Sequence, residues 1–271
     1  FSAADVLVTE GVDGGRDYTN PIWGDPDVLR RISAASERIR IAGKLAPANA
    51  IVVATGRFDV ARLQREVAQL TGGKERAFHR PDIMPALPLS RVHDGPREVH
   101  LQVQVVDVTD AKSAALVHVL TAALRDRLFF KLRKSGHVYS PFVTARFQEW
   151  LDFILISFEV TEHADVDLSK VRLVDMVALS AGQITYDEVA RAKAMAKHDL
   201  FAVEDDAGAY AAELAARVRN EITVGPEVRA AVDDVDKAAL TDAASRFLTG
   251  KRAVSWTFGR SAQAAAKRGA P

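Results

Sequence analysis

The sequence predicts an α+β fold, a mostly antiparallel sheet with helices packed on one face. Three observations lead there. Strand-like and helix-like patterns are mixed along the chain in the order β-α-β-α-β-β-α-α-α-β. Two strand patterns, at about 138–146 and 151–162, are separated only by a turn near Phe147–Trp150, which argues for a hairpin and against pure βαβ winding. Between them and the preceding strand lies a long helix. Its Leu116, Leu120, Leu124, Leu128 and Leu132 recur every four residues, with Val117, Phe129 and Phe130 widening the stripe.

Composition sets the outer bounds. The chain has 271 residues, 48% hydrophobic and 27% charged, enough apolar surface for a proper core. Lys plus Arg equals Asp plus Glu, 36 of each, so neither a nucleic-acid nor a membrane-surface binder is indicated. The absence of cysteine rules out a disulfide framework, a thiolate metal site and a cysteine nucleophile. No apolar run approaches the roughly 20 residues needed to span a bilayer, and no signal-peptide pattern opens the chain. A soluble protein is expected, with the compartment open between cytoplasm and periplasm. Starting at Phe1, the chain is expected to be a trimmed or excised piece.

Residues 1–24 are polar, Gly-rich and without periodic signal; they read as a linker or the tail of a preceding domain. Asp25-Pro26 starts a helix, for which Val28, Leu29, Ile32, Ile39 and Ile41 make a buried face up to Gly43. Ala50–Thr55, with Ile51, Val52 and Val53, reads as a buried strand. Asp59 caps the next helix, with Val60, Leu63, Val67 and Leu70 on one face and Gly72-Gly73 at its end. Residues 74–97, with Pro81, Pro85, Pro88 and Pro96, read as a long loop or arm. Val99, Leu101, Val103 and Val105 alternate with His100, Gln102 and Gln104, the pattern of a strand buried on one face.

Thr109/Asp110 caps the long helix, and Gly136 breaks it. In the second hairpin strand Ile154, Ile156, Phe158 and Val160 share one side. A helix at about 165–181 ends at Gly182. Thr185 and Glu188 form a capping box that begins an Ala-rich helical region reaching about Ile222, with a break near Glu204–Asp206. A last helix at about 234–248 and a strand at Ala253–Phe258 precede a loose tail.

Seven histidines are present, none in His-x-x-Glu-His or His-Glu-x-x-His spacing. Glu159-Val-Thr-Glu162-His163 has Glu where a first His would stand and follows an alternating strand, so it reads as a strand end. His118 reads as a partly buried, hydrogen-bonded histidine of the long helix. There is no G-x-S-x-G elbow, Walker loop or G-x-G-x-x-G cradle. What remains is the junction at 121–146. Arg133 lies on the last turn of the helix and Tyr139 at the mouth of the next strand. The same residues also read as a basic last turn favouring the helix dipole and an ordinary half-buried Tyr.

The segment Leu132-Arg133-Lys-Ser-Gly136-His137-Val-Tyr139-Ser140 resembles the zinc-free half of the insulinase/pitrilysin family of zinc metallopeptidases. Two further stretches carry the likeness, the order from Pro47-x-Asn49 through the apolar run to Gly56, Asp59 and Gly72-Gly73, and the helix start Ile184-Thr-Tyr-Asp-Glu-Val-Ala-Arg-Ala-Lys193. It spans roughly residues 26–260. The family carries one more residue between the Arg and the Tyr, and more often an acidic residue where Arg57 stands.

The resemblance implies a half-domain of the insulinase/mitochondrial processing peptidase type at 46–262, a linker and exit helix of a preceding domain at 1–45, and a loose tail at 263–271. It implies that Arg133 and Tyr139 are the catalytic contributors, reaching a substrate held by a zinc-bearing half. His137 and Ser140 are the substrate contacts, although His137 also reads simply as part of the turn. No metal is expected in this chain, and zinc is expected in the partner half, upstream on the same chain or on a separate subunit. The other partner is a peptide. A catalytically inactive, structural member of the same family is the alternative, favoured by the shortened Arg133-to-Tyr139 spacing.

Overall fold

The computed structural model describes residues 30–44, 47, 50–70, 89–93, 99–134, 136, 138–139, 141–147, 152–161, 176, 178–179, 181–219 and 226–258. Within them lie helices α1 (Ala34–Lys44), α2 (Val60–Ala68), α3 (Ala111–Leu128), α4 (Tyr186–Asp205), α5 (Ala207–Arg219), α6 (Pro226–Ala231) and α7 (Lys237–Phe247). The strands are β1 (Leu89–His93), β2 (Val99–Val106), β3 (Phe142–Phe147), β4 (Asp152–Glu159) and β5 (Ala253–Phe258). They form one sheet in the order β1-β5-β2-β4-β3. Only β1 with β5 is parallel; every other pair is antiparallel. The expected α+β class is therefore the observed one.

Helix α3 is the axis of the core. Asp110 accepts a hydrogen bond from the Ser113 amide, and Ser113 returns one through its hydroxyl, which closes a capping box. The leucine stripe then lands inward, with Leu120, Leu124, Leu128 and Leu132 fully buried. They share a cluster with Val143, Ile154, Ile156 and Phe158 of the β3–β4 hairpin and with Val189, Ala192, Ala196 and Leu200 of α4. α6 and α7 add Val228, Leu240, Ala243 and Phe247. The expected capping box of α4 is present between Thr185 and Glu188. The break near 204–206 falls at Asp206, whose carboxylate accepts from the Gly208 and Ala209 amides and so starts α5. Gly182, at φ +71°, ends a helical turn: its amide donates to the Leu179 carbonyl and that of Gln183 to the Ala178 carbonyl, a Schellman closure that needs glycine.

Several expectations are corrected. Strand β2 is buried on both faces. Its register pairs Gln102 with Ile156 and Gln104 with Ile154, so the glutamines lie on the face toward the helices. There Gln104 donates to the Phe247 and Thr249 carbonyls at the end of α7, the latter at 2.8 Å, and Gln102 donates to Gln104 at 2.9 Å. A polar alternation that ordinarily marks a solvent face here satisfies helix-end carbonyls instead. Ala50–Thr55 is not assigned as a strand, and Ile51 and Val52 are each 48% exposed. The Thr55 hydroxyl donates to the Ala207 carbonyl at 2.7 Å, and apolar composition alone did not give the segment a strand neighbour among the described residues.

Helix α1 starts at Ala34, and Ile32, Ile39 and Ile41 are exposed. Helix α2 has its cap at Asp59 and its apolar face as expected, yet Val60 and Leu70 are exposed. Leu89–His93, read as part of a loop, is strand β1. The short α6 was not foreseen. Residues 1–24, Gly72-Gly73, the 147–150 turn beyond Phe147 and the tail lie outside the described residues.

Replacing Gln104 by Leu removes two donors from buried helix-end carbonyls. We expect a loss of about 1–3 kcal/mol in urea unfolding. An unchanged midpoint would show that these carbonyls are satisfied without Gln104.

Candidate functional site

Past Leu128 the helix loosens into a π-helical turn, Phe129–Arg133, in which the Lys134 amide donates to the Phe129 carbonyl at 3.4 Å. Such turns insert one residue into a helix and recur at functional sites. The turn keeps Leu132 fully buried while Arg133 is exposed. Phe129 and Phe130, expected to widen the buried stripe, are instead 49% and 54% exposed and meet edge to face at 5.9 Å. Gly136 follows at φ +78°, and its amide donates to the Arg133 carbonyl at 3.1 Å. The Gly136 carbonyl accepts from the Thr161 hydroxyl at 3.0 Å, and the Tyr139 amide donates to the Glu159 carbonyl at 3.1 Å. A bridge between Val138 and Val160 completes the link.

Both ends of β4's continuation thus hold the turn that carries Tyr139, which is 55% exposed. The structure places Arg133 and Tyr139 on the two arms of one turn, both facing solvent, with half-exposed Phe142 two residues beyond Pro141's neighbour Ser140. His137 and Ser140 lie outside the described residues. So does His163; Glu159, the first residue of that stretch, ends β4 as read.

Among the described residues no group of three or more His, Cys, Asp or Glu could hold a metal ion. The zinc of the resembling family therefore has no fitting donor set among them. His118 is half-buried on α3, edge-on to the Phe147 ring at 5.1 Å.

A second feature was not legible in sequence. A cavity of about 350 Å³ lies beside β3, lined by Val143–Phe147 together with residues of α3, α4 and α5. Arg125 of α3 and Asp199 of α4 pair at 2.8 Å in its lining.

Below it, Arg127 grips Glu188 with two hydrogen bonds of 3.0 and 3.1 Å and also donates to the Gln183 carbonyl. Burial pushes Glu188 up, but the Thr185 amide and the Arg127 guanidinium outweigh it and hold its carboxyl below the usual glutamate range.

A depressed folded-state pKa means that the stabilisation is complete above the ordinary glutamate pKa and lost as pH falls through the folded value. Glu188→Gln keeps the capping side chain and removes the charge. We expect the variant to be less stable than the parent at neutral pH and the gap to close on acidification. A gap that stayed constant through the acid range of an unfolding titration would show that the charge is not what matters.

No protein-family model and no curated protein matches the chain. Solved structures do. The chain is similar to a protease from Helicobacter pylori at 16% identity and TM-score 0.74, over 90% of this chain and 62% of that one. It is similar to the inactive peptidase M16 domain from Pseudomonas fluorescens at 15% identity and TM-score 0.76, over 94% and 64%. A chain of complex III2 from Candida albicans aligns at 17% identity and TM-score 0.76, over 93% and 66%. The chain thus spans less than two thirds of the length of each. At these identities the likeness shows the fold, which is that of insulinase/M16-type peptidase domains.

Proposed function

We propose that this chain is the zinc-free half of an M16-type metallopeptidase, completing a peptide-cleavage site whose metal is held by a partner half. The observation that carries the reading is the α3–β3 junction: Arg133 and Tyr139 stand exposed on the two arms of one hydrogen-bonded turn, beside half-exposed aromatic rings. The fold likeness to M16-type proteins supports it.

In amide cleavage, negative charge develops on the scissile carbonyl oxygen. Donors aimed at that oxygen lower the barrier, each worth about a hundredfold or more in rate. A guanidinium is permanently charged and presents a fork of N–H donors, and a phenol is a neutral donor at pH 7. Arg133 and Tyr139 supply this pair from across the cleft. Phe129, Phe130 and Phe142 give the rim apolar surface for a covering partner or for substrate side chains. His137 and Ser140, on the same turn, remain the proposed substrate contacts.

A structural, catalytically inactive unit of the same fold is the second reading. It is favoured by the shortened Arg133-to-Tyr139 spacing and by the likeness to an inactive M16 domain.

The two separate by experiment. With the zinc-bearing half added, Arg133→Ala or Tyr139→Phe is expected to lower kcat about a hundredfold with assembly intact on size exclusion. Unchanged turnover in both variants would leave the structural reading. The chain by itself is expected to cleave no peptide and to take up no stoichiometric zinc in a metal titration; one zinc per chain would overturn the assignment.

A further inference from the structure

The end of α3 carries cations without counter-charges. Residues 127–148 contain Arg127, Lys131, Arg133, Lys134 and Arg146 and no Asp or Glu, in a chain whose formal net charge is zero. Elsewhere on α3 and α4 the cations are matched: Arg125 pairs with Asp199, Arg127 with Glu188, Arg191 with Asp126 and Lys197 with Asp233. Arg133 and Lys134 are both exposed, and among the described residues neither has a carboxylate within ion-pair distance. Glu159, whose carbonyl receives the Tyr139 amide, alternates along β4 with Phe158 of the core and so lies on the sheet face away from α3.

The same turn exposes rings. Phe129 and Arg133 stand four residues apart, as do Phe130 and Lys134, so each half-exposed ring has a cation about one helical turn along the same face. The two rings meet edge to face and form one apolar surface. An aromatic pair beside unmatched cations complements a segment that is apolar and negative at adjacent positions. A polyanion is a poorer match. Nucleic acids and anionic membranes are held by many Lys and Arg side chains at once. Here Arg133 and Lys134 stand at one helix end of a chain with no net charge.

We infer that the α3–β3 junction recognises peptides in which an acidic residue adjoins an aromatic one. Lys134, within the field of Arg133, takes the carboxylate, and Phe129 and Phe130 take the ring. This names a substrate class and rests on the reading of the junction as a peptide site. Lys134 is then the residue that sets specificity. It follows Arg133 directly in sequence, so a side chain bound there flanks the carbonyl that Arg133 addresses.

The test is fluorescence anisotropy on the full chain at low salt. The probe is a labelled, end-blocked peptide of alanine and glycine with a central phenylalanine followed by glutamate. Replacing that glutamate by glutamine is expected to weaken binding about tenfold, and replacing the phenylalanine by alanine to weaken it to a similar extent. The glutamate preference is expected to vanish at about 1 M salt, where the screening length falls to about 3 Å. Lys134→Glu, at an exposed position, is expected to keep its circular dichroism and lose the preference. Should it misfold, the peptide series and its salt dependence on the parent chain decide alone. Equal affinity for the glutamate and glutamine peptides, or a preference that survives in a folded Lys134→Glu, would overturn the inference. So would tighter binding of oligothymidylate or of phosphatidylserine vesicles than of the glutamate peptide. Absence of the preference, with turnover in the two-half assay still lost in Arg133→Ala and Tyr139→Phe, counts against this inference only. The preference present, with turnover unchanged in both variants, counts against the donor role only.

Discussion

Enclosure of α3 is the constraint from which the rest follows. The sheet lies on one side of it, α4 on another, and α6 and α7 close the remainder, so that most of its length is buried. Burying leucine side chains at about 2 kcal/mol each makes this helix the main apolar investment of the described fold. Its register then has little freedom. Where it stops decides where Arg133 stands, and which turn of it faces β3 decides what walls the cavity. Both features of functional interest are consequences of how one helix is packed.

Local signals in the sequence proved reliable where they encode backbone chemistry. Thr185 with Glu188, Asp59, Asp110 and Gly182 all act as terminators in the way their side chains, or lack of one, require. The break at Asp206 belongs with them. Burial was harder to read. The glutamines of β2 alternate like solvent-facing residues but serve carbonyls at the end of α7, a partner about 145 residues away in sequence. Ile51 and Val52 look like core and are half exposed, because apolarity states a preference for burial and not a place to be buried. Strand β1 was hidden among prolines: its pairing is with β5, and no local pattern announces a partner that distant. The placement of Arg133 and Tyr139 on either side of Gly136 was legible; the role assigned to them came from the resemblance. The cavity was not legible, since it is made by four elements that no sequence window contains.

The π-helical turn decides where the leucine stripe ends. An α-helix turns about 100° per residue, so a leucine every four residues overshoots the stripe by about 40° at each step. Four such steps from Leu116 would carry Leu132 far around the helix. The wider turn at Phe129–Arg133 winds less per residue and returns Leu132 to the core, fully buried. Beyond Arg133, Gly136 stands at positive φ and its amide donates back to the Arg133 carbonyl. Phe129 and Phe130 lie about 100° and 200° around the helix from Leu128, off its buried stripe, and are exposed.

The spacing between α3 and α4 fixes the width of the cavity, and it is set twice over. Ala192 and Ala196, small and fully buried, let the two helices approach closely. Across the rim, Arg127 holds Glu188, Arg125 holds Asp199 and Arg191 holds Asp126. Pairs as exposed as the last two contribute little net stability. Arg127 differs: its side chain is 13% exposed, it is bidentate, and it also caps the Gln183 carbonyl, so it locks an orientation more than it adds free energy. Together these contacts keep the α4 wall at a set distance from the edge of β3. A cavity held open by packing in this way keeps its shape without an occupant.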